Sequence, residues 1–146
     1  MTTPHDGSDE VRQLFQENVP GLAKGIFEIK AIARERGHRT ILAVYSSDSS
    51  IDPVGSCTGE RGARVRSVVQ HLSGEAVDII RWSDSIEQFI RNVLAPAVIR
   101  SVVLEETTRR AIVKMVSKPA GNWEPDSIRL KLASRVTGWN LELVDA

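Results

Sequence analysis

Hydrophobic and polar positions in the first half of the chain follow a helical period in some stretches and a strand-like period in others. Apolar residues at helical spacing over residues 8–16 predict a helix that ends at Pro20. Strand-like runs follow over residues 26–34 and 40–45, with a turn at residues 36–38 between them. The chain is therefore expected to open with a helix and a β-hairpin.

Two helices and a third strand complete this half. Asp52 is a suitable N-cap for a short helix over Pro53–Thr58, because proline is favoured at the first helical position. The second helix has apolar residues at positions i, i+3, i+4 and i+7: Val65, Val68, Val69 and Leu72. Gly74 ends this helix, and a strand is predicted over residues 77–82.

The second half shows the same order of elements. A capping box at Ser85–Gln88 predicts the start of a helix that stops near Pro96. Strands are predicted over residues 98–105 and 110–116, followed by a loop rich in proline and glycine. The last two elements are a helix over residues 127–137 and a strand over residues 140–144.

The two halves can be laid over one another. With Gly59 placed on Glu124, the helices that follow coincide, and one deleted residue brings Gly74 onto Gly138. The shared order of elements favours an internal duplication over an accidental match. We therefore expect an α+β protein built of two domains: residues 1–83 and residues 84–146.

Composition narrows the class of protein. The 146 residues are 41% hydrophobic and 26% charged, as in globular domains. No apolar run has the length of a membrane span, and a single cysteine excludes an internal disulfide, so we expect a cytoplasmic protein. Lysine plus arginine equals aspartate plus glutamate, 19 each, so any attraction to nucleic acid must be local.

Residues 59–62, Gly-Glu-Arg-Gly, stand between the two neighbouring helices of the first half. Two glycines here let the backbone approach a ligand closely, and the following helix offers N–H groups to a phosphate. Helix, G-x-x-G, helix is the clamp with which KH domains hold about four nucleotides of single-stranded RNA or DNA. The alternative is a glycine pair that only ends one helix and starts the next.

The corresponding residues of the second half, 124–127, are Glu-Pro-Asp-Ser. Both glycines are absent, the proline removes an amide donor, and two carboxylates would repel a phosphate. We therefore expect one working clamp, in the first domain, and a second copy that is kept for structure.

Four stretches of the chain together resemble one family: GIFEIKAIAR at 25–34, DPVGSC leading into GERG at 52–62, DIIRWS at 78–83 and TGW at 137–139. They are similar to the tandem KH region of bacterial NusA, the transcription elongation, termination and antitermination factor. The similarity covers residues 11–144 and is denser in the first half. It implies two fused prokaryotic-type (type II) KH domains, each a three-stranded mixed sheet covered by helices, with single-stranded RNA across them.

Two departures from the NusA pattern bear on function. The family carries a polymerase-binding domain and an oligonucleotide-binding barrel ahead of its KH domains, and this chain has no room for either. The second KH domain of the family normally has its own G-x-x-G sequence, which this chain lacks. Met1 and the polar residues after it favour a stand-alone NusA-like protein over a piece of a longer chain.

The motif and the resemblance together give one candidate RNA-binding set: Val54, Gly55, Gly59, Glu60, Arg61, Gly62, Ala63 and Arg64. The backbone N–H groups of residues 59–63 are expected to hold phosphates, helped by Arg61 and Arg64. Val54 and Gly55 would line a groove for bases. The alternatives are a solvated loop residue for Arg61, a solvated helix face for Arg64, and plain core for Val54.

Other prominent residues have structural interpretations. Cys57 is expected to be a buried packing residue, and Trp82 and Trp139 to close small cores rather than to stack on bases. Lys30 would reach a phosphate only if its strand lines the groove. The histidines lack metal-site spacing and no catalytic motif is visible, so we expect no metal, no cofactor and no enzymatic activity.

These observations predict a monomeric RNA-binding protein related to NusA, which modulates transcription elongation, termination or antitermination through its first KH domain. Its expected partners are single-stranded RNA and, by resemblance, RNA polymerase or other transcription factors; no membrane contact is expected. The alternative is a protein-interaction module of the transcription or ribosome-associated machinery. Zero net charge and the degraded second clamp favour that alternative.

Overall fold

The computed structural model describes residues 6–117 and 127–145, without the side chains of the terminal residues Ser117, Ser127 and Asp145. The chain divides into two compact units, Met1–Trp82 and Ser83–Ala146. Each unit combines helices with one three-stranded mixed sheet. The expected α+β class and the two KH-like folds are confirmed.

Over its described residues the first unit has four α-helices and three strands, with a short 3₁₀ turn at Glu60–Gly62. In chain order these are α1 (Ser8–Asn18), α2 (Pro20–Ala23), β1 (Glu28–Glu35), β2 (Arg39–Tyr45), α3 (Pro53–Thr58), α4 (Ala63–His71) and β3 (Ala76–Arg81). The second unit contains α5 (Ile86–Leu94), β4 (Val98–Glu105), β5 (Arg110–Ser117), α6 (Ser127–Thr137) and β6 (Asn140–Asp145).

α1 ends before Pro20, as predicted, but Pro20 also begins a further short helix that was not predicted. α1 runs to Asn18, Val19 is extended with φ −121°, and Pro20 is then the first residue of the short helix α2. Proline suits this first position because its missing N–H would have no helical acceptor there. The prediction missed α2 because proline both ends a preceding helix and favours the first position of the next.

The core of the first unit lies between one face of its sheet and the helices. β2 is the central strand, antiparallel to β1 and parallel to β3. The side chains that fill this core come from α1, α2, β2, α3 and α4, and the most deeply buried are Val11, Phe15, Val19, Leu42, Val44, Cys57 and Val68. Burial of this apolar surface fixes α3 and α4 on the sheet.

The turn end of this unit is closed by a buried ion pair. Arg34 donates from Nε and Nη2 to the two carboxylate oxygens of Glu75, at 2.9 and 3.0 Å. Arg34 and Glu75 are only 6% and 4% exposed. Nη1 of Arg34 also donates to the carbonyl of Gly7 at 2.8 Å and to Glu10 at 2.7 Å, which fastens α1 to the sheet.

The sheets of the two units have matching registers, as an internal duplication requires. In each sheet the outer antiparallel strand has an irregularity near its start, at Lys30 in β1 and at Arg100 in β4, and β4 has a second one between Val98 and Ile99. A cross-strand ion pair recurs at equivalent positions, and both copies have a contact of 2.7 Å: Arg39–Asp78 and Arg110–Glu142. The parallel pairing of Arg39 with Ala76 likewise matches that of Arg110 with Asn140.

The degraded clamp sequence is only partly covered by the structure. Residues 118–126, which contain most of the predicted loop and of the degraded clamp sequence, lie outside the described residues, and α6 is described from Ser127. Among the described residues no helix is both long and apolar enough to cross a bilayer.

Candidate nucleic-acid interface

The helix before the glycine pair starts as the sequence predicts. Asp52 accepts a hydrogen bond at 3.1 Å from the N–H of Gly55, and Pro53 is the first residue of α3. Pro53 and Cys57 are buried, so this face of α3 is anchored while the opposite face is available. The cap satisfies one of the N–H groups that a helix start leaves without a partner.

Val54 and Gly55 occupy the first turn of α3 and differ in exposure. Val54 is half-buried and packs against the core cluster, in line with its structural alternative, whereas Gly55 is exposed. A Cβ on Gly55 would lie 2.6 Å from Oδ2 of Asp52. Glycine at this position therefore leaves room for the capping carboxylate.

The four residues of the G-x-x-G sequence form a tight turn between α3 and α4. Gly59 has φ 79° and ψ 170°, Arg61 has φ 54° and ψ 27°, and Gly62 has φ 76° and ψ 16°. Positive φ is uncommon for a residue with a side chain, and Arg61 adopts it while it is exposed to solvent. Strained backbone of this kind clusters at ligand-binding positions.

The two glycines serve different purposes. A Cβ on Gly59 would lie 2.8 Å from the backbone nitrogen of Arg64, and its dihedral angles belong to a region used almost only by glycine. Around Gly62 the nearest atom to such a Cβ is 3.6 Å away. Space and backbone shape therefore both require glycine at position 59, whereas only a left-handed conformation is required at position 62.

Several N–H groups of the turn already have acceptors within it. The N–H of Gly59 donates to Gly55 at 2.9 Å, that of Gly62 to Gly59 at 3.0 Å, and that of Ala63 to the carbonyl of Glu60. These bonds hold the turn in shape. Of the five N–H groups in residues 59–63, those of Glu60 and Arg61 are the remaining candidates for a ligand.

Arg64 lies against the turn from its far side. Its Nη1 donates at 2.8 Å to the carbonyl of Ser56, in the last turn of α3, and its Cγ would be 2.7 Å from a Cβ on Gly59. The half-buried side chain of Arg64 therefore ties α3 to α4. Sequence reasoning missed this contact because it depends on the angle between the two helices.

Cys57 is buried beneath the same turn. Burial raises the pKa of its thiol to about 12, against the smaller opposing effect of the Arg64 charge. A thiol with such a pKa is a packing group rather than a nucleophile. The structural interpretation of Cys57 is confirmed.

The strand beside α3 supplies a residue that sequence reasoning did not select. β3 is an edge strand of its sheet, and α3 packs against it. Arg81, at its end, lies 3.4 Å from Asp52, the residue that caps α3. Side chains alternate along β3, so Arg81 lies on the same face as Val77 and Ile79, which pack against the core. This alternation was the sequence signal that could have identified Arg81.

Lys30 lies away from the helices. Its Nζ is 4.7 Å from the ring centre of Trp82 and 5.5 Å from that of Tyr45. Alternation along β2 puts Tyr45 on the sheet face opposite the core residues Leu42 and Val44. Lys30 therefore does not line the groove beside α3, which was the condition for its contact with a phosphate.

Comparison with known families decides the classification. Residues 6–82 match the family model described as the NusA-like first KH domain. The chain belongs to this NusA-like KH family. The match covers α1 to β3 and includes the helix-turn-helix that carries residues 59–62.

Two curated relatives of this NusA-like chain have the same name. It is 41% identical over 142 residues to "Transcription termination/antitermination protein NusA" of Rickettsia prowazekii, covering 90% of this chain and 27% of that protein. It is 39% identical over 140 residues to the protein of the same name from Thermus thermophilus, covering 93% of this chain and 35% of that protein. The chain thus spans about a third or less of these relatives.

A solved structure shares the fold over nearly the full length. The crystal structure of APE1850 aligns with a TM-score of 0.61 at 16% sequence identity, covering 94% of this chain and 96% of that one. At this identity the likeness concerns the fold alone.

Proposed function

We propose that the first unit binds a short segment of single-stranded RNA at the turn formed by residues 59–62. Through that contact, the protein would act in transcription termination or antitermination, the process for which its relatives are named. The observation that carries this proposal is the turn itself. It is exposed at Glu60 and Arg61, has three residues with positive φ, and stands at the start of α4.

The contacts would be few and local. A phosphate would accept hydrogen bonds from the N–H groups of Glu60 and Arg61 and would sit at the positive end of the α4 dipole. The guanidinium of Arg61 would add a charged forked donor. Arg64 would act chiefly by holding α3 against α4, while Val54 and Gly55 would border the bases.

The association with RNA polymerase or other transcription factors is a second element of the proposal. It rests on the NusA name of the relatives, of which this chain covers 27–35%. We propose a binding role rather than a catalytic one, because the exposed turn offers the N–H groups of Glu60 and Arg61 as hydrogen-bond donors to a ligand.

The test replaces both middle residues of the turn, Glu60→Asp and Arg61→Asp. Aspartate tolerates the left-handed backbone at position 61, so the fold is retained, and its charge repels phosphate. Fluorescence anisotropy with a labelled single-stranded RNA decamer at low salt should show at least about a tenfold loss of affinity. Circular dichroism checks that the variant is folded.

The matched control is Lys24→Asp, which changes the net charge by the same amount at an exposed residue after α2. It should lower affinity far less than the double variant. Equal losses would show that overall charge, not the turn, governs binding. Absence of binding by the unaltered protein below about 100 µM would instead favour the protein-interaction module.

A further inference from the structure

Arg64 and Arg66 both lie in the first half of α4, and the structure uses them differently. Nη1 of Arg64 donates at 2.8 Å to the carbonyl of Ser56, and the side chain is half-buried. A move of Arg64 toward solvent would take the donor from this carbonyl, which has a cost in stability. Arg64 is therefore already engaged between the two helices.

Arg66 reaches back to the turn formed by residues 59–62. Side chains on an α-helix point toward its N-terminus, so a residue covers the position about four before it. Accordingly, a Cβ on Gly62 would lie 3.6 Å from Nη1 of Arg66. The guanidinium of Arg66 is thus placed beside the last residue of the turn, while Arg66 as a whole stays exposed.

The exposed charges of residues 59–66 are those of Glu60, Arg61 and Arg66. Glu60 and Arg61 cancel, so the surplus positive charge comes from Arg66. Arg61 and Arg66 form no hydrogen bond or ion pair within the described part of the chain, whereas Arg34 and Arg39 are paired with carboxylates. In a protein of zero net charge, Arg66 thus supplies the local attraction that a phosphate requires.

We propose that Arg66 is the second cationic contact for single-stranded RNA, and that it binds the phosphate next to the one held by the N–H groups of Glu60 and Arg61. This inference rests on the proposed function and adds a second phosphate to the site. A guanidinium presents several donors in a fixed fork, which suits a phosphate better than a single ammonium does. With two neighbouring phosphates engaged, the site would favour an oligonucleotide over a free mononucleotide.

Salt dependence measures this contact directly. Each phosphate neutralised on a single strand contributes about 0.7 to the slope of log affinity against log salt. Arg66→Gln should therefore make the slope shallower by about 0.7. It should also weaken the binding of a labelled single-stranded RNA decamer about five- to tenfold at about 50 mM salt, as measured by fluorescence anisotropy.

The stability of the Arg66→Gln variant gives a second readout. Its urea midpoint should not change, because Arg66 has no partner within the described residues. Arg66→Lys keeps the charge and should restore the salt slope. Only part of the affinity should return, because the fork of donors is lost.

Two control variants separate this role from others. Arg64→Gln should lower the urea midpoint, because the carbonyl of Ser56 loses its donor, and should leave the salt slope unchanged. Arg36→Gln removes an exposed arginine in the hairpin turn beside the start of β3, where the N–H of Ala76 donates to the carbonyl of His38. This turn lies beyond the C-terminal end of α4, so Arg36→Gln should change neither the slope nor the affinity.

Failure of this inference and failure of the proposed function give different results. If the unaltered protein does not bind the decamer, the proposed function fails and the role of Arg66 fails with it. If the protein binds and Arg66→Gln keeps both affinity and slope, only the role of Arg66 is overturned. A slope that Arg64→Gln or Arg36→Gln flattens as much as Arg66→Gln does would overturn it too, because the contact would then not belong to Arg66.

Discussion

Gly59 and Gly62 look alike in the sequence but are constrained differently in the structure. Gly59 combines dihedral angles that favour glycine alone with a backbone nitrogen 2.8 Å from where a Cβ would be. Gly62 is left-handed with ample space. At the scale of single residues, the shape of the turn therefore requires glycine at position 59, whereas position 62 requires only a residue that can adopt the left-handed backbone conformation.

Asparagine at each position measures this difference. Gly59→Asn should lower the free energy of unfolding by about 1–3 kcal/mol and should distort the turn, because asparagine cannot adopt its conformation without strain. Gly62→Asn should cost clearly less, since asparagine visits the left-handed region readily. Urea unfolding gives the stability, and anisotropy with single-stranded RNA gives the binding. Similar losses at both positions would contradict the assigned geometry.

At the scale of elements, the buried pair of Arg34 and Glu75 joins α1 to the sheet. Burial alone would raise the pKa of Glu75, but hydrogen bonds from Arg34, Gly37 and Thr40, with the charge of Arg34, outweigh it and hold the pKa below its ordinary value. The hydrogen bond to Glu75 raises the pKa of Arg34, against the cost of burial. Removal of either partner leaves the other charge buried.

This pair predicts acid sensitivity. A carboxyl group whose pKa is lowered by folding contributes stability above its unfolded value of about 4.3, and that stability is lost as pH falls through the lower folded value. The raised pKa of Arg34 adds stability lost only at very alkaline pH, so it does not affect this window. We expect the urea midpoint to fall as pH decreases below about 4.3.

Two variants test the assignment to Glu75. Replacement of both partners, Arg34→Met with Glu75→Leu, should give a folded protein with a flatter acid limb, because no buried charge remains. Glu75→Gln alone should destabilise by about 3–5 kcal/mol at neutral pH. Glu87→Gln, at an exposed helical ion pair, is the control and should leave the acid limb unchanged. An unchanged acid limb in the double replacement would assign the sensitivity to other carboxylates.

At the scale of the whole molecule, zero net charge limits the part that electrostatics can play in binding nucleic acid. A site of three or four phosphates on a single strand predicts a slope of log affinity against log salt of about −2 to −3. Affinities measured by anisotropy between low and moderate salt give this slope. A slope several times steeper would require a larger cationic surface than the proposed site.

The order of elements was largely predictable because hydrophobic period, caps and glycine stops all act locally. The N-caps at Asp52 and Ser85 were placed correctly. The capping box predicted at Ser85 is not completed, because the side chain of Gln88 donates to Asn92 and the N–H of Ser85 donates to Ser83. Contacts that depend on how elements pack were not predictable. The bond from Arg64 to Ser56 joins two residues whose proximity follows only from the fold.

The hydrogen bonds that close the turn at Gly59 and Gly62 have a kinetic and calorimetric consequence. A recognition surface that is already assembled before its ligand arrives loses little conformational freedom on association. The proposed binding of RNA would then need no slow rearrangement of the turn. The heat-capacity change of that binding would be small, because a short strand covers little apolar area.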